Sequence, residues 1–271
     1  MPRPPDWSVY VAAVVLLTVL AWRKKERSDA PEAPPPAPVS EVALASPTSM
    51  KPSNIRAPRL RIGQAGSAFS ISDSGVWLTA RRVVDGCRQA AVMIAPGRGV
   101  RAQVFSDPAY EAAVLTTQGG AAPLPLAGDL PLKTGQRGFH PGFPQGGPGE
   151  AASRLLGSAV LRGAARGSPP EHVLAWAEVG RTDGLKGSLA GLSGAPVLDS
   201  AGRVVGVTLD VSPRRGRIYA TPPGAIRAAM AMAHQAPSGF AEGQDIATDN
   251  YGRVADALRR DMRVVQVICL S

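Results

Sequence analysis

Short apolar runs separated by turn residues make up most of the chain beyond Leu60. The runs cover residues 68–71, 76–78, 90–94, 102–105, 113–115, 159–161, 173–176, 204–207 and 218–220. Turn-forming residues lie between them, as in Asp73-Ser74-Gly75 and Pro96-Gly97. Runs this short, at this spacing, are typical of a β-barrel or a β-sandwich. The pattern therefore predicts an all-β domain.

Three later stretches depart from this pattern. Residues 223–235 are rich in Ala and Met after a proline, and residues 250–263 place Val254, Leu258 and Met262 four positions apart. Proline in the first turn and apolar residues at every fourth position both favour an α-helix. The apolar tail over residues 264–270 is predicted to be a final strand.

The amino-terminal region has the character of a membrane anchor. Residues 7–22 carry no charged side chain and have a tryptophan at each end. A helix of this length rises about 24 Å, so it spans a bilayer only with help from its flanks. A cleaved signal peptide is the alternative, but no small-x-small cleavage site precedes Arg23 and only Arg3 precedes the apolar run. We expect an uncleaved anchor.

Composition then divides the chain into four parts. From residue 28 to residue 58 the sequence is rich in Pro, Ala, Ser and Glu, which is typical of an extended spacer. We predict an anchor with its basic flank (1–27), a linker (28–58), a folded β domain (59–243) and a helix–strand extension (244–271).

Charge narrows the class of protein further. The 271 residues include 30 Lys+Arg and 21 Asp+Glu, for a formal net charge of +9, with 44% apolar residues. This composition excludes a wholly disordered chain and a polytopic membrane protein. The basic excess is mostly arginine and favours an acidic partner. Nucleic-acid binding stays an alternative, although basic stretches interleaved with aromatic residues are missing.

One turn carries the residues of a nucleophilic site. It reads Gly191-Leu192-Ser193-Gly194-Ala195-Pro196 and precedes the Val-rich run at 204–207. A serine between glycines can present its hydroxyl outside the backbone, and the amides of Gly191 and Ser193 can stabilise an oxyanion. Ser193 is therefore the candidate nucleophile.

This turn resembles the Gly-Asn/Asp-Ser-Gly-Gly-Pro block of the trypsin-like serine proteases, in particular their HtrA-like bacterial branch. Two earlier segments are similar to other blocks of that family, in the same order. Residues 66–86 resemble the segment that carries the family histidine, and residues 107–115 resemble the segment that carries the family aspartate. The resemblance implies an all-β, two-barrel trypsin-like fold, here with a C-terminal helix and strand. It implies no cofactor and no metal.

The family triad is only partly present. The histidine position falls on Arg82 and the aspartate position on Glu111, while Ser193 matches. An arginine holds its proton above pH 12 and cannot replace the imidazole base. The resemblance thus implies a pseudoprotease that acts as a binding or scaffolding module. A weak or atypical serine endopeptidase that uses Ser193 is the alternative. The three histidines are interpreted as strand-end or surface residues: His140, His172 and His234.

The resemblance also assigns places to several arginines. It puts Arg82 at the former catalytic cleft and Arg214, Arg215 and Arg217 in a hairpin near the pocket rim. Arg82 either forms a structural ion pair with Glu111 or joins these arginines and the Gly191 and Ser193 amides in an anion-receptive groove. The second interpretation predicts a protein or peptide partner of acidic character.

The two cysteines bear on the compartment. Cys87 and Cys269 lack the clustered spacing of a zinc site, and they are either bridged or two separate buried thiols. A bridge requires an oxidising compartment, which places the domain on the periplasmic side of the inner membrane. The basic residues 23–27 predict the cytoplasmic side instead, by the positive-inside rule. We prefer the periplasmic orientation.

Overall fold

The computed structural model describes residues 42–43, 54–56, 65–128, 131–162, 170–212, 216–236 and 243–270. The predicted anchor and most of the linker lie outside these ranges. Among the described residues, none of the helices combines the length and the apolar character needed to cross a membrane.

The described elements are mainly strands. The strands are β1 (Val42–Ala43), β2 (Asn54–Arg56), β3 (Ala65–Ser72), β4 (Val76–Ala80), β5 (Gln89–Ala95), β6 (Arg98–Phe105), β7 (Ala112–Thr116), β8 (Lys133–Thr134), β9 (Arg137–Gly142), β10 (Gly149–Arg162), β11 (Glu171–Arg181), β12 (Pro196–Leu198), β13 (Val204–Ser212), β14 (Arg217–Ala220) and β15 (Val264–Leu270). The helices are α1 (Arg81–Val84), α2 (Pro223–Met232) and α3 (Tyr251–Arg260), with a 3₁₀ turn at Pro144–Gly146.

The first barrel is closed by six antiparallel strands in the order β15-β3-β4-β7-β6-β5. Strands β3 and β4 are almost completely buried, and Phe69, Leu78 and Val114 fill the barrel interior. The C-terminal strand β15 pairs with β3 on one side and with β5 on the other. The predicted helix–strand extension thus contributes a strand to this barrel. It does not pack as a unit separate from the domain predicted at residues 59–243.

The second barrel contains β11-β14-β13-β12-β9-β10 and closes through pairing of β10 with β11. Strand β2 of the linker adds to β10 in parallel. The core of this barrel includes Trp176, Leu192, Val197 and Ile218, all fully buried. The predicted all-β, two-barrel architecture is confirmed.

The two predicted helices are present but end earlier than the sequence pattern suggested. Helix α2 ends at Met232, and α3 ends at Arg260, because Met262 adopts a left-handed backbone conformation (φ 56°) that reverses the chain. Helix α3 packs on the second barrel through buried Tyr251, Val254 and Leu258. It therefore leads the chain from the second barrel back to the first.

A disulfide joins Cys87 to Cys269 across 182 residues of sequence. Cys87 follows α1, and Cys269 lies in β15. Of the two interpretations of the cysteines, the bridge is the one the structure contains. It fastens the last strand of the chain to the segment that carries Arg82.

Reducing this bridge should destabilise the protein strongly. On a chain-entropy model, a cross-link across a loop of this length lowers the entropy of the denatured state and so raises the free energy of unfolding by about 5 kcal/mol. Urea unfolding of the full-length chain in detergent, with and without reductant, measures the difference. The variant Cys87→Ala/Cys269→Ala is the control and should not respond to reductant. Equal urea midpoints for the oxidised and reduced protein would contradict the expectation.

Candidate functional site

The serine-bearing turn between β11 and β12 is shaped by two glycines. Gly191 and Gly194 have φ values of +98° and +88°, which side chains with a Cβ rarely adopt. A Cβ on Gly194 would also overlap the carbonyl oxygen of Ser67. The side chain of Leu192 is fully buried in the second barrel. Glycine freedom and this apolar anchor together fix the position of Ser193.

The hydroxyl of Ser193 is bound to the backbone. Its Oγ donates to the carbonyl oxygen of Leu209 in β13 at 2.6 Å. The carbonyl oxygen of Ser193 accepts a hydrogen bond from the Ser67 amide at 2.8 Å. A peptide carbonyl is a very weak base, so this partner does not activate the hydroxyl as a nucleophile.

Two amides of the turn are left without acceptors. The carbonyl of Ala190 accepts from the Gln145 amide at 2.5 Å, and that of Leu192 accepts from the Ala195 amide at 2.9 Å. In a trans peptide the next N–H points the opposite way from such a carbonyl. Within the described part of the chain, the N–H groups of Gly191 and Ser193 donate no hydrogen bond. They are available to an oxygen atom of a ligand.

Arg82 occupies the place that the resemblance gives to the base. Its Nη2 lies 3.5 Å from Glu111 Oε2, and its Nη1 lies 3.8 Å from Asp210 Oδ1. The Arg82 side chain is only 9% exposed. Arg81 also binds Glu111, with Nη2 2.8 Å from Oε1. Of the two interpretations of Arg82, the ion pair with Glu111 is the one present, and Arg82 already faces two carboxylates.

Asp210 and Glu171 were missed from the sequence. Together with Arg81, Arg82 and Glu111 they form what we name the cleft charge cluster, with two guanidinium groups and three carboxyl groups. A sequence signal existed for Asp210, because a lone carboxylate in the apolar strand β13 needs a cationic partner. No comparable signal marks Glu171, which belongs to the site only through the fold.

Burial dominates the titration of these two carboxyl groups. It raises the pKa of Glu171 to about 7, aided by the negative charge of Glu111 and opposed by the two arginines. Burial also raises the pKa of Asp210, against the opposing charge of Arg82. A proton is therefore held in the cleft charge cluster near neutral pH.

The remaining predicted site residues are the three arginines of the hairpin that leads into β14. Arg214 and Arg215 lie outside the described residues. Arg217 begins β14, is partly exposed, and forms no ion pair with any other described residue. Of the three arginines predicted at the pocket rim, the structure therefore describes Arg217 alone.

The histidines do not supply a base for Ser193. His140 is completely buried, with Nδ1 2.9 Å from Thr208 Oγ1 and Nε2 2.7 Å from Ser153 Oγ. Burial lowers the pKa of His140 to about 3, so its imidazole is neutral and serves the core of the second barrel. The interpretation of His140 as a strand-end or surface residue is therefore wrong. Within the described residues, no histidine forms a hydrogen bond with Ser193.

Comparison with known families agrees with this architecture. The family model described as "Trypsin-like peptidase domain" matches residues 66–207, which is more than half of the chain. The chain belongs to the trypsin-like peptidase domain family. The matched region of this trypsin-like domain contains both Arg82 and Ser193 but ends before α2.

Individual relatives support the same conclusion. "Putative serine protease HhoA" from Synechocystis is 32% identical over 151 residues, which cover 54% of this chain and 37% of that protein. The chain therefore spans well under half of that relative.

Solved structures show the same fold. The Rv3671c protease from M. tuberculosis in its active form has 20% identity and a TM-score of 0.51, covering 76% of this chain and 98% of that one. The inactive form of the Rv3671c protease has 24% identity and a TM-score of 0.50, covering 63% and 87%.

The Glu171→Gln variant of this trypsin-like domain should change how stability depends on pH. Between pH 4.5 and about 7 the folded protein keeps a proton on Glu171 that the unfolded chain has lost. The free energy of unfolding therefore falls as pH rises through this window. Above about pH 7, Glu171 is ionised in both states and causes no further fall. Relative to the native protein, Glu171→Gln should gain about 3 kcal/mol between pH 4.5 and pH 8.

Urea unfolding of both proteins at pH 4.5 and pH 8 measures this gain. The titration of His140 is common to both proteins and cancels in the comparison. A difference between the two proteins that is the same at both pH values would show that Glu171 titrates normally.

Proposed function

We propose that this chain is a non-hydrolytic trypsin-like domain that binds a protein or peptide partner in the former catalytic cleft. One observation carries the proposal. In place of an imidazole, the guanidinium of Arg82 is buried between the carboxylates of Glu111 and Asp210. The chain keeps the family fold but lacks the proton acceptor on which the family's chemistry depends.

The chemistry of the groups around Ser193 supports this interpretation. Acyl transfer requires a base that removes the serine proton and later protonates the leaving group. An arginine stays protonated near neutral pH and cannot accept the serine proton. The carboxylate of Glu111 is bound by Arg81 and Arg82, and the Ser193 hydroxyl donates to a carbonyl. Only the residual catalysis of an oxyanion hole would remain.

Two features favour binding of an extended peptide. The amides of Gly191 and Ser193 have no acceptor within the described residues. In addition, residues 210–212 of β13 pair with β14, and among the described residues no strand pairs with their other edge, because β12 pairs with β13 only at residues 204–207. The Val211 amide in this stretch donates to Asp210 Oδ1 at 2.7 Å. An open strand edge can accept a peptide by backbone hydrogen bonding. The two amides are then the groups that receive an anionic oxygen of an acidic partner.

A weak or atypical serine endopeptidase is the second candidate. The retained Ser193 favours it, together with the Gly191 and Ser193 amides, which have no acceptor among the residues that the structure describes. The name of the Synechocystis relative favours it as well. In this case Ser193 would act without the imidazole base, at a rate orders of magnitude below an intact triad.

A fluorophosphonate probe separates the two candidates. The native chain should label no more than Ser193→Ala, because the hydroxyl is not activated. The variant Arg82→His/Glu111→Asp restores the imidazole and the aspartate, and its labelling should rise by at least about 100-fold. The rise should disappear when Ser193→Ala is added.

Labelling of the native chain that is lost in Ser193→Ala would establish the endopeptidase and exclude the pseudoprotease. A folded Arg82→His/Glu111→Asp variant that stays unlabelled would show that the Gly191 and Ser193 amides do not form a working hole. Circular dichroism on each variant confirms that the fold is retained.

We further propose that the anchor at residues 1–27 holds the domain on the periplasmic side of the inner membrane. The disulfide between Cys87 and Cys269 supports this orientation, because such bonds persist in oxidising compartments. The basic residues 23–27 oppose it.

Fusions at the C-terminus test the orientation. Alkaline phosphatase fused after Ser271 should be active, since it folds only outside the cytoplasm, and green fluorescent protein at the same place should be dark. The same fusions to a chain that lacks residues 2–27 should both report the cytoplasm. Fluorescence from the full-length fusion, with inactive phosphatase, would establish the opposite orientation.

A further inference from the structure

Gln145 joins the loop at residues 143–148 to the serine-bearing turn by hydrogen bonds. The Gln145 amide donates to the Ala190 carbonyl at 2.5 Å, and its side-chain Nε2 donates to the carbonyls of Lys186 and Ser188 at 2.7 and 2.8 Å. Gln145 therefore binds three alternate carbonyls of the segment that leads into Gly191. The peptide group whose N–H belongs to Gly191 is one of these.

A second contact holds the other side of the same turn. The Ser67 hydroxyl donates to the Gly191 carbonyl at 2.8 Å and accepts from the Phe143 amide at 3.0 Å. Ser67 is completely buried. The position of the 143–148 loop thus determines both peptide groups that flank Gly191.

The loop is not held by its own backbone preferences. Gln145 has φ 55° and ψ 23°, a left-handed conformation that is unfavourable for a residue with a Cβ. Surrounding contacts must therefore impose this conformation.

Arg259 of α3 binds the two ends of the loop. Its Nη1 donates to the carbonyls of Gly142 and Gly149, at 3.3 and 3.0 Å. Its Nη2 binds Glu150 at 2.8 Å and Asp256 at 2.6 Å. The side chains of Arg259 and Glu150 are only 6% and 1% exposed. The planar guanidinium fork makes these contacts in one fixed geometry, which a lysine ammonium cannot reproduce.

We propose that Arg259 is a positioning residue that acts through the 143–148 loop to keep the Gly191 amide directed at the cleft and, through the turn that follows Gly191, the Ser193 amide as well. The proposal deepens the binding function proposed above, because it names what maintains the anion-receiving groups of the same site. Arg259 lies outside residues 66–207 that match the family model, so a C-terminal segment outside the matched region supplies this support.

The test reads the two amides directly by NMR of the full-length chain in detergent micelles. When leucine carries ¹³C at its carbonyl and serine carries ¹⁵N at its amide, the two isotopes are directly bonded only in the pairs Leu192–Ser193 and Leu270–Ser271. Carbonyl-¹³C alanine with ¹⁵N glycine labels four pairs, of which Ala190–Gly191 is one. The amide signals of Ser193 and Gly191 are thereby followed without a ligand and without catalysis.

Two variants and one control give the comparison. Arg259→Lys keeps the charge that pairs with Glu150 but not the fork. Gln145→Gly tolerates the left-handed backbone and loses only the side-chain donor. Arg203→Lys is the control, because Arg203 is a surface residue paired with Asp199. We expect Arg259→Lys and Gln145→Gly to shift or broaden the same Gly191 and Ser193 signals, with Arg203→Lys leaving them in place.

A purely structural role for Arg259 predicts a different result. In that case Arg259→Lys lowers the melting temperature but moves the Gly191 and Ser193 signals no more than Arg203→Lys does, and the proposal is overturned. If Arg259→Lys does not fold, unchanged signals in Gln145→Gly still overturn it, since the proposed route runs through that residue. The NMR signals do not depend on whether Ser193 acts as a nucleophile. The proposed function can therefore fail while the role proposed for Arg259 stands, and the reverse.

Discussion

The burial of the Arg82 guanidinium is the constraint on which the rest of the cleft depends. A charge with so little exposure is tolerated only when other groups neutralise it, and removing one partner of such a pair typically costs 3–5 kcal/mol. Glu111 comes from the first barrel and Asp210 from the second, so the compensation of Arg82 also joins the two barrels. Asp210 directly follows Leu209, whose carbonyl holds the Ser193 hydroxyl. The arginine, the carboxylates and Ser193 are therefore parts of one arrangement.

This arrangement does not disturb the barrels, because the site and the barrels depend on different residues. The barrels are held by fully buried apolar side chains such as Phe69, Leu78, Trp176 and Ile218. The site consists of a few polar side chains at strand ends and in one turn. Family members can thus exchange site residues while the fold persists, and membership of the family does not decide whether this chain is an enzyme.

Most of the described strands, the two longer helices and the serine-bearing turn could be predicted from the sequence, since apolar periodicity and local motifs encode them. The strands β1, β2, β8, β9 and β12 lie outside the apolar runs and were not predicted. Other features could not be predicted. The place of β15 within the first barrel depends on pairing with β3 and β5, which precede it by more than 160 residues. Glu171 joins the cleft charge cluster only when both barrels have formed. The contacts of Arg259 are equally nonlocal, because its partners at Gly142 and Gly149 lie over 100 residues away.

The nonlocal contacts of β15 and of Arg259 both belong to the C-terminal segment. Helix α3 binds the ends of the loop that contacts the peptide groups around Gly191. Strand β15 closes the first barrel, and Cys269 bonds it to Cys87, which follows the helix α1 that carries Arg82. The two sides of the cleft are thus fastened by one continuous stretch of 28 residues, 243–270. Because a strand and a helix of that stretch are packed at the same time, displacement of either one strains the other. The arrangement around Ser193 therefore depends on the end of the chain as much as on the motif that contains the serine.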